Sequence, residues 1–114
     1  MTQARRRLGA SGEAQAAAWY EARGYEVLAR NWRCSHGEID LVVARDRRVA
    51  VCEVKTRSST TYGSPAEAVT PAKQRRLRTL AAVWLQDAPW PPREVRFDVA
   101  TVLAGEIDVI EGAF

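Results

Sequence analysis

The sequence has few cysteines, a single histidine and no long apolar run, and each shortage excludes a class of protein. Cys34 and Cys52 are too few for a disulfide framework, so we expect free thiols in a reducing compartment. Cys34 and His36 are spaced like metal ligands, but a structural zinc site needs four ligands and no second histidine exists. No stretch reaches the roughly 18 apolar residues of a membrane span, and the N-terminus lacks an apolar signal region. We therefore expect a cytoplasmic protein without membrane segments.

The composition is that of one globular domain with a basic surface. Hydrophobic residues make up 46% of the 114 residues and charged residues 27%, so one domain over residues 1–114 can bury about two thirds of its unfolded surface. The pI of about 9.2 and the 17 Lys and Arg residues favour a polyanion such as nucleic acid as partner. Residues 1–8 contain Arg5, Arg6 and Arg7 without apolar periodicity, which predicts a flexible basic arm, either solvated or contacting phosphates.

The first predicted helix covers residues 11–23. Ser11 is a plausible N-cap, and Gly24 occupies the position that follows a helix C-terminus. Glu13 lies in the first turn, where an acid interacts favourably with the helix dipole. Its spacing from Ala16, Ala17 and Tyr20 also lets it lean over a sheet.

The second predicted helix begins at Thr70 as N-cap, with Pro71 in the first helical position. Its apolar stripe requires a sheet to cover it and consists of Leu77, Leu80, Ala81, Trp84 and Leu85. Lys73 stands one turn before this stripe and is expected to point toward the sheet edge. Three arginines around the exposed side are either a solvated face or phosphate contacts: Arg75, Arg76 and Arg78.

Strands are predicted over residues 25–32, 94–103 and 106–110, and a hairpin over residues 37–57. The hairpin turns at Asp46-Arg47, or through a four-residue loop centred on the same point, so paired positions sum to 93. Alternation in its first strand predicts one face with Ile39, Leu41 and Val43 and another with Glu38, Asp40 and Val42. Residues 58–64 then form a loop that either connects elements or contacts a nucleic acid backbone.

This pairing places Asp40 opposite Glu53 and Glu38 opposite Lys55, with all four side chains on one face. Two opposed carboxylates repel each other, and a bound Mg²⁺ or Mn²⁺ would offset that repulsion. Lys55 adds a positive charge beside such a metal. The alternative is an exposed charged hairpin face on which Glu38 and Lys55 form an ordinary ion pair. Asp98 is a weaker candidate for the same site.

Together, Glu13, the Gly37-Glu38-Ile39-Asp40 segment, the segment from Glu53 to Arg57, and Lys73 resemble a known family. The chain is similar to the YraN-like uncharacterised endonuclease-like family of the PD-(D/E)xK restriction-endonuclease superfamily, and to archaeal Holliday-junction resolvases. The resemblance covers residues from Gly12 to about Val109. One position departs from the superfamily pattern, because the proline that precedes its aspartate is Ile39 here.

The resemblance implies a three-layer α/β/α fold, with a central mixed sheet flanked by helices in the order αβββαββ. It also implies that Asp40 and Glu53 bind Mg²⁺ or Mn²⁺ and that Lys55 is the catalytic lysine. Glu13 would complete the site, Glu38 and Lys73 would be auxiliary, and Arg57 would join the three helix arginines in binding nucleic acid.

The function expected from these residues is metal-dependent hydrolysis of phosphodiester bonds in DNA, with branched or flapped structures as substrates. Cutting both strands of a branched duplex would require a homodimer, because one small domain carries one site. Two alternatives remain open. One is a nucleic-acid-binding module that does not cleave, and the other is an interaction domain whose acidic hairpin face contacts a basic protein.

Overall fold

The computed structural model describes residues 3–57 and 69–114, so the loop predicted over residues 58–64 lies outside the described residues. Two helices and five strands follow in chain order as α1 Gln3–Glu21, β1 Glu26–Cys34, β2 Gly37–Arg45, β3 Arg48–Arg57, α2 Pro71–Leu85, β4 Glu94–Leu103 and β5 Glu106–Ile110. The predicted α/β class is confirmed. Neither helix in the described part of the chain combines the length and hydropathy that crossing a membrane requires.

The strands form one mixed sheet in the order β1-β2-β3-β4-β5. All neighbours are antiparallel except β3 and β4, which run parallel over their whole length. A parallel pair needs a crossover connection, and α2 lies within it. The β2-β3 turn is the predicted two-residue turn, with Asp46 and Arg47 at φ of 52° and 61°, as a type I′ turn requires.

Helix α1 begins earlier than the sequence predicts. Its backbone is helical from Gln3, so the predicted N-cap at Ser11 is wrong and residues 3–8 of the predicted arm have a helical backbone. The C-terminal end agrees with the prediction. Gly24 has a φ of 85°, and Tyr25 N donates to Tyr20 O (3.1 Å), which is a Schellman ending.

Helix α2 is the element that the sequence predicts best. The Thr70 hydroxyl accepts a hydrogen bond from Lys73 N (3.2 Å), and Pro71 opens the helix. Its buried residues are those of the predicted stripe, namely Leu77, Leu80, Ala81 and Trp84. The cap therefore fixes where Lys73 leaves the first turn of the helix.

The sheet separates two apolar cores, one under each helix. The α1 core contains Leu41, Val43, Ala50 and Cys52, and the α2 core contains Val42, Val49 and Val51. Ile39 packs in the α2 core, so its predicted position on the face of Leu41 and Val43 is wrong. Ile39 and Leu41 are two positions apart and would share a face in a regular strand, yet they pack in opposite cores. Strand alternation is therefore broken between them, at Asp40.

Asp98 lies in a buried hydrogen-bond network near the C-terminal end of α1. It is 0% exposed and accepts hydrogen bonds from the Tyr20 hydroxyl (2.6 Å), from Arg96 (2.7 and 2.9 Å) and from Gly112 N (2.9 Å). These donors join α1, β4 and the C-terminal residues. We therefore assign Asp98 to the core and not to the candidate site.

Candidate active site

The candidate site lies where β2 and β3 separate. Their pairing follows the predicted register from Arg45 and Arg48 as far as Leu41 and Cys52. The next residues, Asp40 and Glu53, are outside the ladder. Instead, the Asp40 carboxylate accepts a hydrogen bond from the backbone N–H of Val54 (2.8 Å). Asp40 thus supplies the acceptor that β2 no longer provides, and we call this point the β2-β3 fork.

The predicted cross-strand pairs of Asp40 with Glu53 and of Glu38 with Lys55 are therefore wrong as ladder pairs. Glu38 forms its ion pair with Arg33 of β1 (3.5 Å). The physical reason is the repulsion between facing carboxylates, which the chain reduces by turning Asp40 onto a backbone donor. The alternative of an exposed charged face also does not hold, because Glu53 is only 8% exposed.

Two ammonium groups contact one oxygen of Glu53. Lys73 Nζ lies 2.8 Å from Oε1 and Lys55 Nζ lies 3.3 Å from the same atom. These are the only lysines in the chain, since every other member of the 17 basic residues is arginine. Unlike arginine, lysine can lose its proton in a protein. Both lysine side chains of the protein therefore lie at one buried carboxylate.

The two lysines differ in their electrostatics. Burial lowers the pKa of Lys55, the contact with Lys73 lowers it further, and the charge of Glu53 opposes both effects. Burial also acts against the charged form of Lys73, but hydrogen bonds to Glu53 and Lys55 raise its pKa overall. Lys55 is therefore the amine that gives up its proton more readily, and Lys73 is the one that stays charged.

Asp40 and Glu13 are both acids in an acid-rich environment. Burial, followed by the negative charge of Glu53, raises the pKa of Asp40 from 3.8 to about 7, although the Val54 N–H lowers it. Glu13 on α1 also has a raised pKa, mainly because of burial. A hydrogen bond from Asn31 opposes this effect, while Glu38 and Glu53 add to it. Contacts thus join Glu53, Lys55 and Lys73, and Asp40 is bonded to Val54 next to Glu53, whereas Glu13 and Glu38 are near enough for their charges to act on Asp40.

The predicted nucleic-acid contacts are more dispersed. Arg75, Arg76 and Arg78 are all exposed on α2, and the Arg78 guanidinium lies 4.8 Å from the Phe97 ring centroid and 5.6 Å from that of Phe114. Arg57 is half-buried at the last position of β3. Arg78 therefore packs against aromatic rings while it remains exposed, and no ring contact is found for Arg75 and Arg76 among the described residues.

Asn31 is a site residue that the sequence reasoning missed. It has a φ of 50° in the middle of β1, and its interaction with Glu13 opposes the rise in the pKa of that acid. The signal that could have found it is an asparagine inside a strand whose alternation is irregular, because asparagine tolerates the left-handed region better than most residues.

The donor set fits a hard divalent cation with few protein ligands. In the described part of the chain, no group of three or more His, Cys, Asp and Glu side chains is close enough together to hold a metal. Mg²⁺ does not require one, because it commonly binds through one or two carboxylates and keeps several waters. Asp40 and Glu53 are two such carboxylates, held near one another at the fork.

Comparisons with known proteins agree with one another. The model of the uncharacterised protein family UPF0102 matches residues 12–102. The chain is 48% identical over 110 residues to a UPF0102 protein of Mycolicibacterium vanbaalenii, which covers 96% of this chain and 91% of the relative. It is 47% identical over 121 residues to a UPF0102 protein of Moorella thermoacetica, with 100% of both chains covered. The chain belongs to the uncharacterised protein family UPF0102.

Proposed function

We propose that this protein is a metal-dependent endonuclease that hydrolyses phosphodiester bonds in DNA. The observation that carries the proposal is the group of side chains at the β2-β3 fork. Asp40 and Glu53 lie directly beyond the last residues that pair β2 with β3, and Lys55 and Lys73 contact the Glu53 carboxylate. Phosphodiester hydrolysis needs negative groups that bind a metal beside positive groups that stabilise the developing charge on phosphate.

The architecture supports a restriction-endonuclease-like assignment within this proposal. Helices α1 and α2 pack on opposite faces of a mixed sheet, and each contributes one charged residue to the fork, Glu13 and Lys73. The resemblance noted in the sequence predicts this three-layer arrangement. The fold alone hosts many functions, so the proposal depends on the site and not on the architecture.

Asp40 and Glu53 are the residues that would hold Mg²⁺ or Mn²⁺. When bound, the ion lowers the pKa of coordinated water and offsets negative charge on the phosphate. Burial raises the pKa of Asp40 most and the neighbouring acids raise it further, and a cation would relieve the repulsion from those acids. At alkaline pH the Asp40 carboxylate carries no proton and is therefore available to bind a divalent ion.

The lysines have separate roles in this proposal. Lys55, whose pKa is lowered, orients the attacking water and accepts or shares its proton. Lys73 keeps its charge, holds Glu53 in place through the 2.8 Å contact, and faces the phosphate with a positive group. Glu13 takes an outer position, where its carboxylate accepts hydrogen bonds from water near the phosphate.

DNA would approach the fork across the basic surface of α2. Arg75 and Arg76 are exposed there, and Arg57 closes β3 next to the site. Branched or flapped DNA is the proposed substrate, and two copies of the chain would be needed to cut both strands of a junction. Because phosphate contacts release counterions, binding should weaken steeply as salt is added.

A second candidate function, DNA binding without cleavage, is favoured by one observation. Lys55 and Lys73 already neutralise the Glu53 carboxylate without any metal. If these ion pairs persist in the presence of Mg²⁺, the fork is a structural charge cluster on a binding module. The two functions differ in what Mg²⁺ or Mn²⁺ does to the DNA.

The test is a cleavage panel of single-stranded, duplex, flap and four-way junction DNA with Mg²⁺ or Mn²⁺. We expect the wild type to cut at least one substrate, Asp40→Asn and Lys55→Ala to lose cleavage, and both variants to keep most of their DNA affinity. Arg48→Ala is the matched control, because Arg48 is an exposed basic residue at the far end of β3. A wild type that binds these substrates but cuts none of them would exclude the endonuclease and favour the binding module.

A further inference from the structure

Thr101, near the end of β4, has a buried hydroxyl that the described part of the chain leaves unsatisfied. The residue is 8% exposed, and its Oγ1 atom is buried without a hydrogen-bond partner among the residues that the structure describes. Buried polar atoms are nearly always paired, and an unpaired one lowers the stability of the folded chain. Valine would fill the same space without this cost, so a threonine at this position indicates that the hydroxyl has a function.

The register of the sheet places Thr101 beside Lys55. The two residues are partners in the parallel β3-β4 ladder, two positions beyond the pair of Glu53 and Val99. Val99 packs in the α2 core, and Glu53 contacts Lys73 of α2. Alternation therefore puts Lys55 and Thr101 on this same face of the sheet. Neighbouring strands lie about 5 Å apart, a distance that a lysine side chain spans, so the Thr101 hydroxyl is within reach of the Lys55 ammonium group.

The contacts of Glu53 indicate when Lys55 needs another acceptor. Both ammonium groups lie on Oε1 of Glu53, with Lys73 at 2.8 Å and Lys55 at 3.3 Å. A divalent ion on the same carboxylate would repel both groups, and the longer of the two contacts is the weaker one. Lys55 is therefore the lysine that leaves Glu53. Because its side chain is only 25% exposed, its ammonium group then needs an acceptor within the protein.

We infer that Thr101 is a positioning residue whose hydroxyl accepts a hydrogen bond from Lys55 when Glu53 binds Mg²⁺ or Mn²⁺. This inference rests on the proposed function and adds a residue of β4 to that site. A hydroxyl suits the place, because it accepts a hydrogen bond from the ammonium group without adding a negative charge to the acids at the fork. Lys55 then keeps a fixed position from which it orients the attacking water.

The test compares Thr101→Val, which keeps the shape and removes the hydroxyl, with Thr101→Ser, which keeps the hydroxyl. In a chelator, we expect Thr101→Val to raise the urea midpoint of unfolding, because the variant removes an unpaired buried polar atom. Loss of an outer hydrogen-bond partner typically lowers metal affinity or activity by roughly 10- to 100-fold. We therefore expect Thr101→Val to lower Mn²⁺ affinity by calorimetry, and kcat on the cleaved DNA, by roughly tenfold with KM unchanged, and Thr101→Ser to restore both.

The matched control is Thr79→Val. The Thr79 hydroxyl donates to Arg75 O (3.1 Å) on the exposed side of α2, so removing it should leave Mn²⁺ affinity unchanged.

Lys55→Ala completes a double-mutant cycle. If Thr101 acts through Lys55, then Thr101→Val has no further effect on Mn²⁺ affinity in the Lys55→Ala background. An equal loss in both backgrounds, no loss in the wild-type background, or a lower urea midpoint for Thr101→Val in the chelator would overturn the inference while leaving the endonuclease intact. A wild type that gives no Mn²⁺ binding heat and no cleavage would instead overturn the proposed function, and the inference with it.

Discussion

Replacing Asp40 with asparagine is expected to stabilise the metal-free protein, and increasingly so as the pH rises. Burial and the nearby acids raise the pKa of Asp40 from 3.8 to about 7 in the folded protein. The stabilisation that comes from its protonated form is fully present below pH 3.8 and is lost as the pH rises through about 7. Asparagine does not titrate, and its side-chain oxygen can still accept the hydrogen bond from Val54 N–H.

The magnitude follows from the width of that pH interval. Each pH unit is worth about 1.4 kcal/mol when one state carries one more proton, so the whole interval amounts to at most about 4 kcal/mol. More than half of this lies above pH 5. We therefore expect the difference in free energy of unfolding, Asp40→Asn minus wild type, to grow by about 2 to 3 kcal/mol between pH 5 and pH 8 and then to level off. Urea unfolding at four pH values in the presence of a chelator measures it.

The control and the metal decide what the result means. Asp46→Asn removes one negative charge from the exposed turn of the same hairpin, and its effect should not follow this pH course. A difference for Asp40→Asn that stays constant between pH 5 and pH 8 would refute the buried, acid-crowded site. Adding Mn²⁺ should narrow the difference at pH 8, because an ion at 100 times its Kd stabilises only the wild type, by about 2.7 kcal/mol.

Three further predictions concern other parts of the chain. Asp98→Ala removes the acceptor of the buried network and should lower the free energy of unfolding by about 3–5 kcal/mol in urea. A Cβ at Gly12 would overlap the Thr56 hydroxyl, so Gly12→Ala should cost about 1–3 kcal/mol, and a second substitution of Thr56→Ala should recover part of the loss. An amine-reactive label at pH 8 should modify Lys55 faster than Lys73 by peptide mass spectrometry, because only the neutral amine reacts; equal rates would contradict their opposite pKa shifts.

Local rules predicted much of the fold because the interactions they describe are local. The Thr70 cap, the first-turn Pro71 and the helical spacing of the apolar stripe are complete within α2, and the structure confirms all three. The start of α1 could not be predicted in this way. Ser11 and Gly12 resemble a helix boundary in sequence, but Gly12 lies inside the helix, where α1 approaches Thr56 of β3 too closely for a side chain. A glycine at position 12 is thus explained by the contact between α1 and Thr56, which local rules do not describe.

Residue identity predicted the members of the candidate site better than it predicted their geometry. The acids and both lysines were chosen from spacing and from resemblance, and they do lie together. The scarcity of lysine was a signal in the composition that spacing arguments did not use. Asn31 was missed because its positive φ marks an irregular backbone within β1, and no rule of alternation predicts where alternation fails.

The β2-β3 fork shows why that failure falls where it does. The turn fixes the register of the hairpin, and continuing the register would bring the carboxylates of Asp40 and Glu53 face to face in a desolvated place. Ending the ladder at Leu41 avoids this arrangement but leaves the Val54 N–H of β3 without a strand partner. The Asp40 carboxylate accepts a hydrogen bond from that N–H, and the ammonium groups of Lys55 and Lys73 contact Glu53. Repulsion between acids that the sequence places in register thus accounts for the end of the β2-β3 ladder, and the ladder ends where the proposed metal and phosphate would bind.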